Sequence, residues 1–412
     1  MRVSFIEALI GCLGVGDDVQ SILAHPRRQS GATTVIIVMP TLRVVLAPNA
    51  FKGTLTAREA ARAMSRGVRE VVPDARCLLL PIADGGDGSV ASFLDAGYAE
   101  LPVDARDAHG RWRSASIAMR DGTAVVEVAN TCGLALPSST PHRPMRASTL
   151  GLGDAIVGAL DAGARSLVIC LGGSSSTDGG SGMLVALGAR LIDSDGEFLA
   201  PSGASLPDVM RLDLGGLDPR LTTCDITVLT DVAAPLFGPT GAAQVFAPQK
   251  GASPEEVDVL DEALRHWAGV LADATEWQGS NAPGAGAAGG AGAAAAAVLG
   301  APLESGGGRV AELMGLPEAI TASDLVITGE GRLDEQTLQG KGSAVVLDLA
   351  AESGIPVIVV CGDIALSDQR LAELGVAVWA AAGPVRPAEA LVAATARSMR
   401  AWLLEQDQAS AH

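Results

Sequence analysis

The sequence predicts an α/β protein built from repeated strand–loop–helix units, and three observations carry that prediction. Short aliphatic runs ending in glycine-rich loops alternate with stretches of helical periodicity from Leu42 almost to the end of the chain. The 412 residues are 48% hydrophobic but only 3% aromatic and include 50 glycines, a balance that suits aliphatic strands joined by tight βα turns. The clearest unit is the apolar run Ser166–Cys170, followed by Leu171-Gly-Gly-Ser-Ser-Ser-Thr-Asp-Gly-Gly-Ser-Gly-Met183 and a helical stretch to Arg190. The length suffices for about two domains with their own cores.

Taken in order, the chain opens on a segment of different texture. Residues 1–38 mix a short apolar run with the polar stretch Ala24–Ser30, and Glu7 interrupts the apolar core that a signal peptide would need. This part reads as a poorly ordered extension, with the functional chain beginning near Met39. No run reaches membrane-spanning length without a charge. From Leu42 a strand leads through Pro48–Thr54 into a helix over 56–72, opened by Thr56 with Glu59 three residues on and stopped by Pro73. The next strand, Cys77–Leu80, completes a βαβ unit with two parallel strands. It delivers Lys52 in one loop and Asp84 and Asp87 in another, Ala83-Asp-Gly-Gly-Asp-Gly-Ser89.

The texture then turns β-rich. Segments 101–104, 112–119 and 123–128 alternate around Gly110 and Asp121-Gly122, which is hairpin patterning and marks the entry to an inserted domain. A helix over 152–162 leads to the Ser166 strand. Ile226–Thr230 is a further strand ending in Asp231, followed by a loop with Lys250 and a helix over 254–271. Gly284-Ala-Gly-Ala-Ala-Gly289 fits the dinucleotide fingerprint, but no strand leads into it, so close backbone packing or a phosphate-facing loop explains it better. Ser323–Thr328 is a strand ending in Gly329-Glu-Gly-Arg-Leu-Asp334, with Lys341 beyond. A helix over 344–352, the strand Pro356–Cys361 and an amphipathic helix over 387–404 complete the pattern.

The loops at strand ends carry the chemistry, because parallel sheets place their sites there. A strand–Gly/Ser-loop–helix order offers backbone N–H groups to an anion, which makes Gly172, Gly173, Ser174 and Ser175 a phosphate-binding candidate. Asp178 among them takes a proton, holds a metal, or caps the helix. Cations (Lys52, Lys250, Arg332, Lys341) and carboxylates (Asp84, Asp178, Asp231, Glu330, Asp334) beside glycine cradles suit Mg²⁺-assisted phosphoryl transfer from a nucleotide. Glu330, Arg332, Asp334 and Lys341 also read as a surface ion-pair network. None of the five histidines lies in these loops, which argues against a zinc site or a His-centred hydrolase. A net charge of −18 with no block of Lys or Arg argues against nucleic acid or an anionic membrane as partner. The six cysteines are scattered with no C-x-x-C pair, as free thiols in a reducing, cytoplasmic compartment would be.

Five blocks in order, Ala47-Pro-Asn-Ala-Phe-Lys-Gly-Thr-Leu55, Pro81–Gly88, Leu171–Gly180, Phe246-Ala-Pro-Gln-Lys-Gly251 and Thr328–Asp334, resemble the signature blocks of the type I glycerate kinase family. The resemblance runs from about Leu42 to Leu404. It implies ATP-dependent phosphorylation of D-glycerate, usually to the 2-phosphate. It also implies a discontinuous Rossmann-like domain (39–88 plus 300–412), an inserted α/β domain (89–299), and the site in the cleft between them. The roles expected on this reading place Asp84 or Asp178 as base, and Lys52 as a catalytic cation. Lys250, Arg332, Asp334 and Lys341, with the Gly172–Ser175 loop, bind phosphate or the acid, and Asp231 and Glu330 hold Mg²⁺. The alternatives are a kinase for another small hydroxy acid and a non-catalytic phosphometabolite-binding protein.

Overall fold

Two sheets organise the chain, and the polypeptide enters the second before finishing the first. The computed structural model describes residues 41–51, 53–82, 86, 88–137, 143–335, 342–383 and 387–409. Lys52, Asp84, Asp87, Lys341 and the extension over 1–38 lie outside these residues. The chain begins with β1 (Arg43–Leu46) and β2 (Arg76–Leu79). Its middle supplies β3 (Ala99–Arg106), β4 (Trp112–Arg120), β5 (Thr123–Glu127) and β6 (Ser166–Cys170). A small ribbon follows, β7 (Arg190–Ile192) with β8 (Arg211–Asp213), and then β9 (Asp225–Leu229) and β10 (Leu303–Glu304). The last part holds β11 (Leu325–Thr328), β12 (Arg332–Leu333), β13 (Val357–Cys361), β14 (Asp363–Ile364) and β15 (Val376–Ala381).

The first sheet is parallel throughout, in the order β15-β13-β11-β1-β2. Its central strands are apolar on both faces, as strands covered on both sides must be. Val44, Leu46, Ile327 and Ile358 meet the helices Ala57–Val71 and Pro387–Ala409, while Val45, Val326 and Val359 meet Leu316–Thr321 and Ser343–Ser353. The first helix forms where its capping box predicts. The Thr56 hydroxyl accepts from the Glu59 N–H at 3.2 Å, and the Glu59 carboxylate accepts from the Thr56 N–H at 2.8 Å.

The second sheet is mixed, in the order β10-β9-β6-β5-β4-β3, with only the β3–β4 and β4–β5 pairs antiparallel. The β4–β5 turn at Asp121-Gly122 has both residues at positive φ, the conformation an Asp-Gly hairpin supplies. Residues alternate across the sheet with period two. Val126, Leu167 and Ile169 face the helices Leu150–Asp161, Pro254–Thr275 and Ala287–Leu299; Val125, Val168 and Cys170 face the helices Ser89–Asp95 and Gly306–Leu313. Strand β10 belongs to this sheet through its pairing with β9, so the second sheet reaches Glu304, past residue 299. The sequence hides this strand because two residues, Leu303 and Glu304, carry no readable period.

Cys77, Cys132, Cys170, Cys224 and Cys361 are free thiols. Burial pushes Cys132 and Cys361 up to about 12, which leaves them unreactive. Among the described residues no helix is long and apolar enough to cross a membrane.

Candidate active site

The carboxyl ends of both sheets are tied to one another. In the first sheet the chain leaves β1 toward β2 on one side, while β11, β13 and β15 add on the other, so the strand order reverses between β1 and β11. A crevice forms outside the carboxyl ends at such a point. There the Asn49 N–H donates to the Gly329 carbonyl at 2.8 Å, while on the β1–β2 side the Ile82 N–H donates to the Pro48 carbonyl at 2.9 Å. The next helix, Ser89–Asp95, packs on the second sheet. The N–H groups of Gly88 and Val90 donate to the Glu127 carboxylate, at the end of β5, at 2.7 and 2.8 Å. Glu127 is thus an acidic cap on the helix Ser89–Asp95, where the helix dipole favours it.

On the second sheet the loop Leu171–Gly180 departs from the expected phosphate cradle at Asp178 and at Ser175. The start of the helix Ser181–Ala186 is occupied by the protein's own carboxylate. Asp178 is 0% exposed and accepts from the Thr149 N–H (2.8 Å), Thr149 Oγ1 (2.8 Å), Ser148 Oγ (3.2 Å), the Gly182 N–H (3.1 Å) and the Gly180 N–H (3.3 Å). Burial holds its pKa above the ordinary carboxylate range, against the pull of these hydrogen bonds. The amides that would meet an external anion at that helix start therefore already have one. Ser175 turns inward too, its N–H and Oγ both donating to the Cys132 carbonyl at 3.0 and 2.8 Å. Gly172, half-buried, and Gly173, exposed at φ +72°, are the part of the loop that reaches the surface, with Ser174 just beneath at 6% exposure.

The glycine tract that mimics a dinucleotide fingerprint packs behind this loop. Ala288, Gly289 and Gly290 are consecutive left-handed residues, and the Gly289 carbonyl accepts from the Gly179 N–H at 2.9 Å. A Cβ on Gly289 would lie 2.2 Å from the Ser176 carbonyl oxygen, so only glycine permits this approach. On the other side the fully buried Trp267 donates from Nε1 to the Gly179 carbonyl at 2.9 Å. The tract serves close backbone packing.

The remaining candidates fall into two groups. Lys250 lies inside, at 3% exposure, its ammonium donating to Ser174 Oγ at 3.0 Å and to the Ser176 carbonyl. Burial lowers its pKa to about 8, while the nearby charge of Asp178 pulls the other way. Asp231 and Glu330 are half-buried and each lies two residues past a strand end, after β9 and β11 respectively, one strand from each sheet. Arg332, on β12, lies 3.6 Å from Asp334 and 3.7 Å from Asp363 with its side chain 64% exposed, an exposed ion-pair network of small energetic weight. Among the described residues no three His, Cys, Asp or Glu side chains gather to hold a metal. A Mg²⁺ held by one or two carboxylates and by phosphate oxygens requires no such cluster, and the carboxylate donors Asp231 and Glu330 are the right type for it. The sequence did not reveal the parts of Thr149 and Glu127. Each sits beside a helix start, but their partners lie 29 and 37 or more residues away.

Comparison with known proteins places this geometry in a family. The chain is 40% identical over 338 residues to the glycerate kinase of Bacillus subtilis (strain 168), covering 81% of this chain and 88% of that one. It is 41% identical over 326 residues to the glycerate 2-kinase of Escherichia coli (strain K12), covering 78% and 86%. Its fold matches the crystal structure of a candidate glycerate kinase 2 from Salmonella typhimurium LT2 with a TM-score of 0.79 and 35% identity, covering 89% of this chain and all of the other. Residues 44–405 match the profile of the glycerate kinase family, and the chain belongs to that family.

Proposed function

We propose that the chain transfers the γ-phosphoryl group of ATP to D-glycerate, giving 2-phosphoglycerate, with Mg²⁺ as the metal. The observation that carries this reading is the 41% identity, over most of both chains, to a protein named glycerate 2-kinase. We further propose that the two sheets are two domains, the second inserted into the first, with reaction between their carboxyl ends. Mg²⁺-bound ATP supplies the phosphoryl group and neutralises part of its charge when bound. Asp231 and Glu330 fit the metal, each being a carboxylate at a strand end. The surface-reaching backbone of Gly172 and Gly173 suits phosphate oxygens. The exposed guanidinium of Arg332 suits the glycerate carboxylate, to which a planar fork can bind through two hydrogen bonds. Lys52 and Lys341 are assigned to phosphate charge and Asp84 to the proton of the reacting hydroxyl, on the strength of their motifs. Asp178, enclosed by five donors, suits holding the loop better than taking that proton. A cytoplasmic location agrees with the free cysteines.

The test is Mg²⁺-dependent ADP release with D-glycerate, L-glycerate and no acid compared side by side. Release with D-glycerate and identification of the 2-phosphate support the reading. Release only with a different hydroxy acid would transfer the same site to that substrate. Binding of ATP with no release on any acid would make the chain a binding protein.

A further inference from the structure

Lys250 is not built like a lysine that meets a ligand. Its stem rises from the tight turn Pro248–Lys250, closed by the Lys250 N–H on the Ala247 carbonyl at 3.0 Å and terminated by Gly251 at φ +94°. The ammonium then points into the interior, where it donates to Ser174 Oγ and the Ser176 carbonyl. Both acceptors belong to the loop that carries Gly172 and Gly173 to the surface. The same short loop is anchored on its other flank, where Ser174 bridges Gly133 and the Leu134 N–H donates to the Gly173 carbonyl at 2.9 Å. Deeper inside, the enclosed Asp178 supplies an opposite charge whose field acts on the ammonium. A lysine with two acceptors already in the protein and 3% exposure has little left to offer a phosphate.

We infer that Lys250 is a positioning residue, whose ammonium clamps Ser174 and Ser176 so that the Gly172–Ser174 edge keeps its shape for phosphate or acid, while Lys250 itself touches neither. This rests on the kinase reading for its consequence but not for its geometry. A side chain acting through Ser174 has two signatures. Its loss loosens the loop in the free protein, and removing the Ser174 hydroxyl once Lys250 is gone costs little further, because residues acting as one unit are not additive.

The experiment compares the wild-type chain with K250M, S174A and the double variant, by amide hydrogen exchange without ligand and by steady-state ADP release. The expected result for K250M is faster exchange over 172–176, with the amides of β1 and β13 unchanged. With it should come a loss of about tenfold or more in kcat/KM, and a double variant no worse than the poorer single one. Unchanged exchange, unchanged kcat/KM, or losses that multiply would each overturn the proposal. If K250M does not fold, K250Q, which keeps a donor, takes its place. If neither folds, Lys250 is a structural residue only and the proposal fails. If wild type releases no ADP with any acid, the kinase reading falls, and the exchange measurement still decides the role of Lys250.

Discussion

Asp178 joins two helix starts, Leu150–Asp161 and Ser181–Ala186, through one enclosed carboxylate. An Asp178→Asn variant would turn an N–H₂ group toward donors. It is therefore expected to lose about 2–3 kcal/mol of stability in urea unfolding, together with activity. Unchanged stability with lost turnover would instead return Asp178 to proton transfer. Lys250 gives a pH signature of definite sign. Its pKa is lowered in the fold from 10.5 to about 8. Between those values the unfolded chain binds more protons, so wild-type stability should rise with pH relative to K250M, by at most about 1.4 kcal/mol per pH unit. Unfolding curves at pH 8 and pH 10 check it. The sequence singled out Asp178 as a carboxylate among amide donors and Lys250 as a cation for phosphate or the acid. It could not tell that both turn inward, since Thr149 and Ser174, which meet them, lie 29 and 76 positions away.

Elements were more legible than residues. The βα units around β1, β6, β11 and β13 follow from short continuous apolar runs and a helical period of 3.6 residues, and the Thr56–Glu59 box marks a helix start to the residue. What escaped was short or glycine-rich. The helix Gly306–Leu313 begins with three glycines, poor helix formers held in place by packing of Val310 on the second sheet. The turn over Ala288–Gly290 was legible only as something other than a dinucleotide loop. Its tightness predicts a contrast between two glycines of similar φ. Gly289→Ala places a methyl 2.2 Å from the Ser176 carbonyl oxygen, whereas Gly300→Ala at φ +64° meets nothing within 4 Å. The second should cost about 1 kcal/mol and the first 3 kcal/mol or more, read from urea midpoints. Equal costs would mean that the loop around Ser176 yields easily.

At the scale of the molecule, the change from βα to hairpin texture after Gly88 reads as the entry to an inserted domain, and it falls where the second sheet's hairpin strands β3, β4 and β5 begin. The return point lies later than residue 299, because β10 pairs before the chain leaves and Gly306–Leu313 then lies between the sheets. Val310 and Met314 pack on the second core, while Ala311 packs on the first. The departure point is fixed by the Glu127 carboxylate on Gly88 and Val90, and the return point by Arg120 and Tyr98, which both donate to the Leu313 carbonyl, at 2.6 and 3.1 Å. Val90 and Phe93 near the first crossing share one cluster with Val310 and Met314 near the second. A module whose entry and exit are fastened side by side is portable. On the proposed division into two domains, residues 89–314 could be exchanged for the matching span of a relative with two chain crossings and the packed face around Ala96 and Ala311 to match, so that the part of the molecule carrying the glycine–serine loop could be inherited, traded or redesigned as a unit.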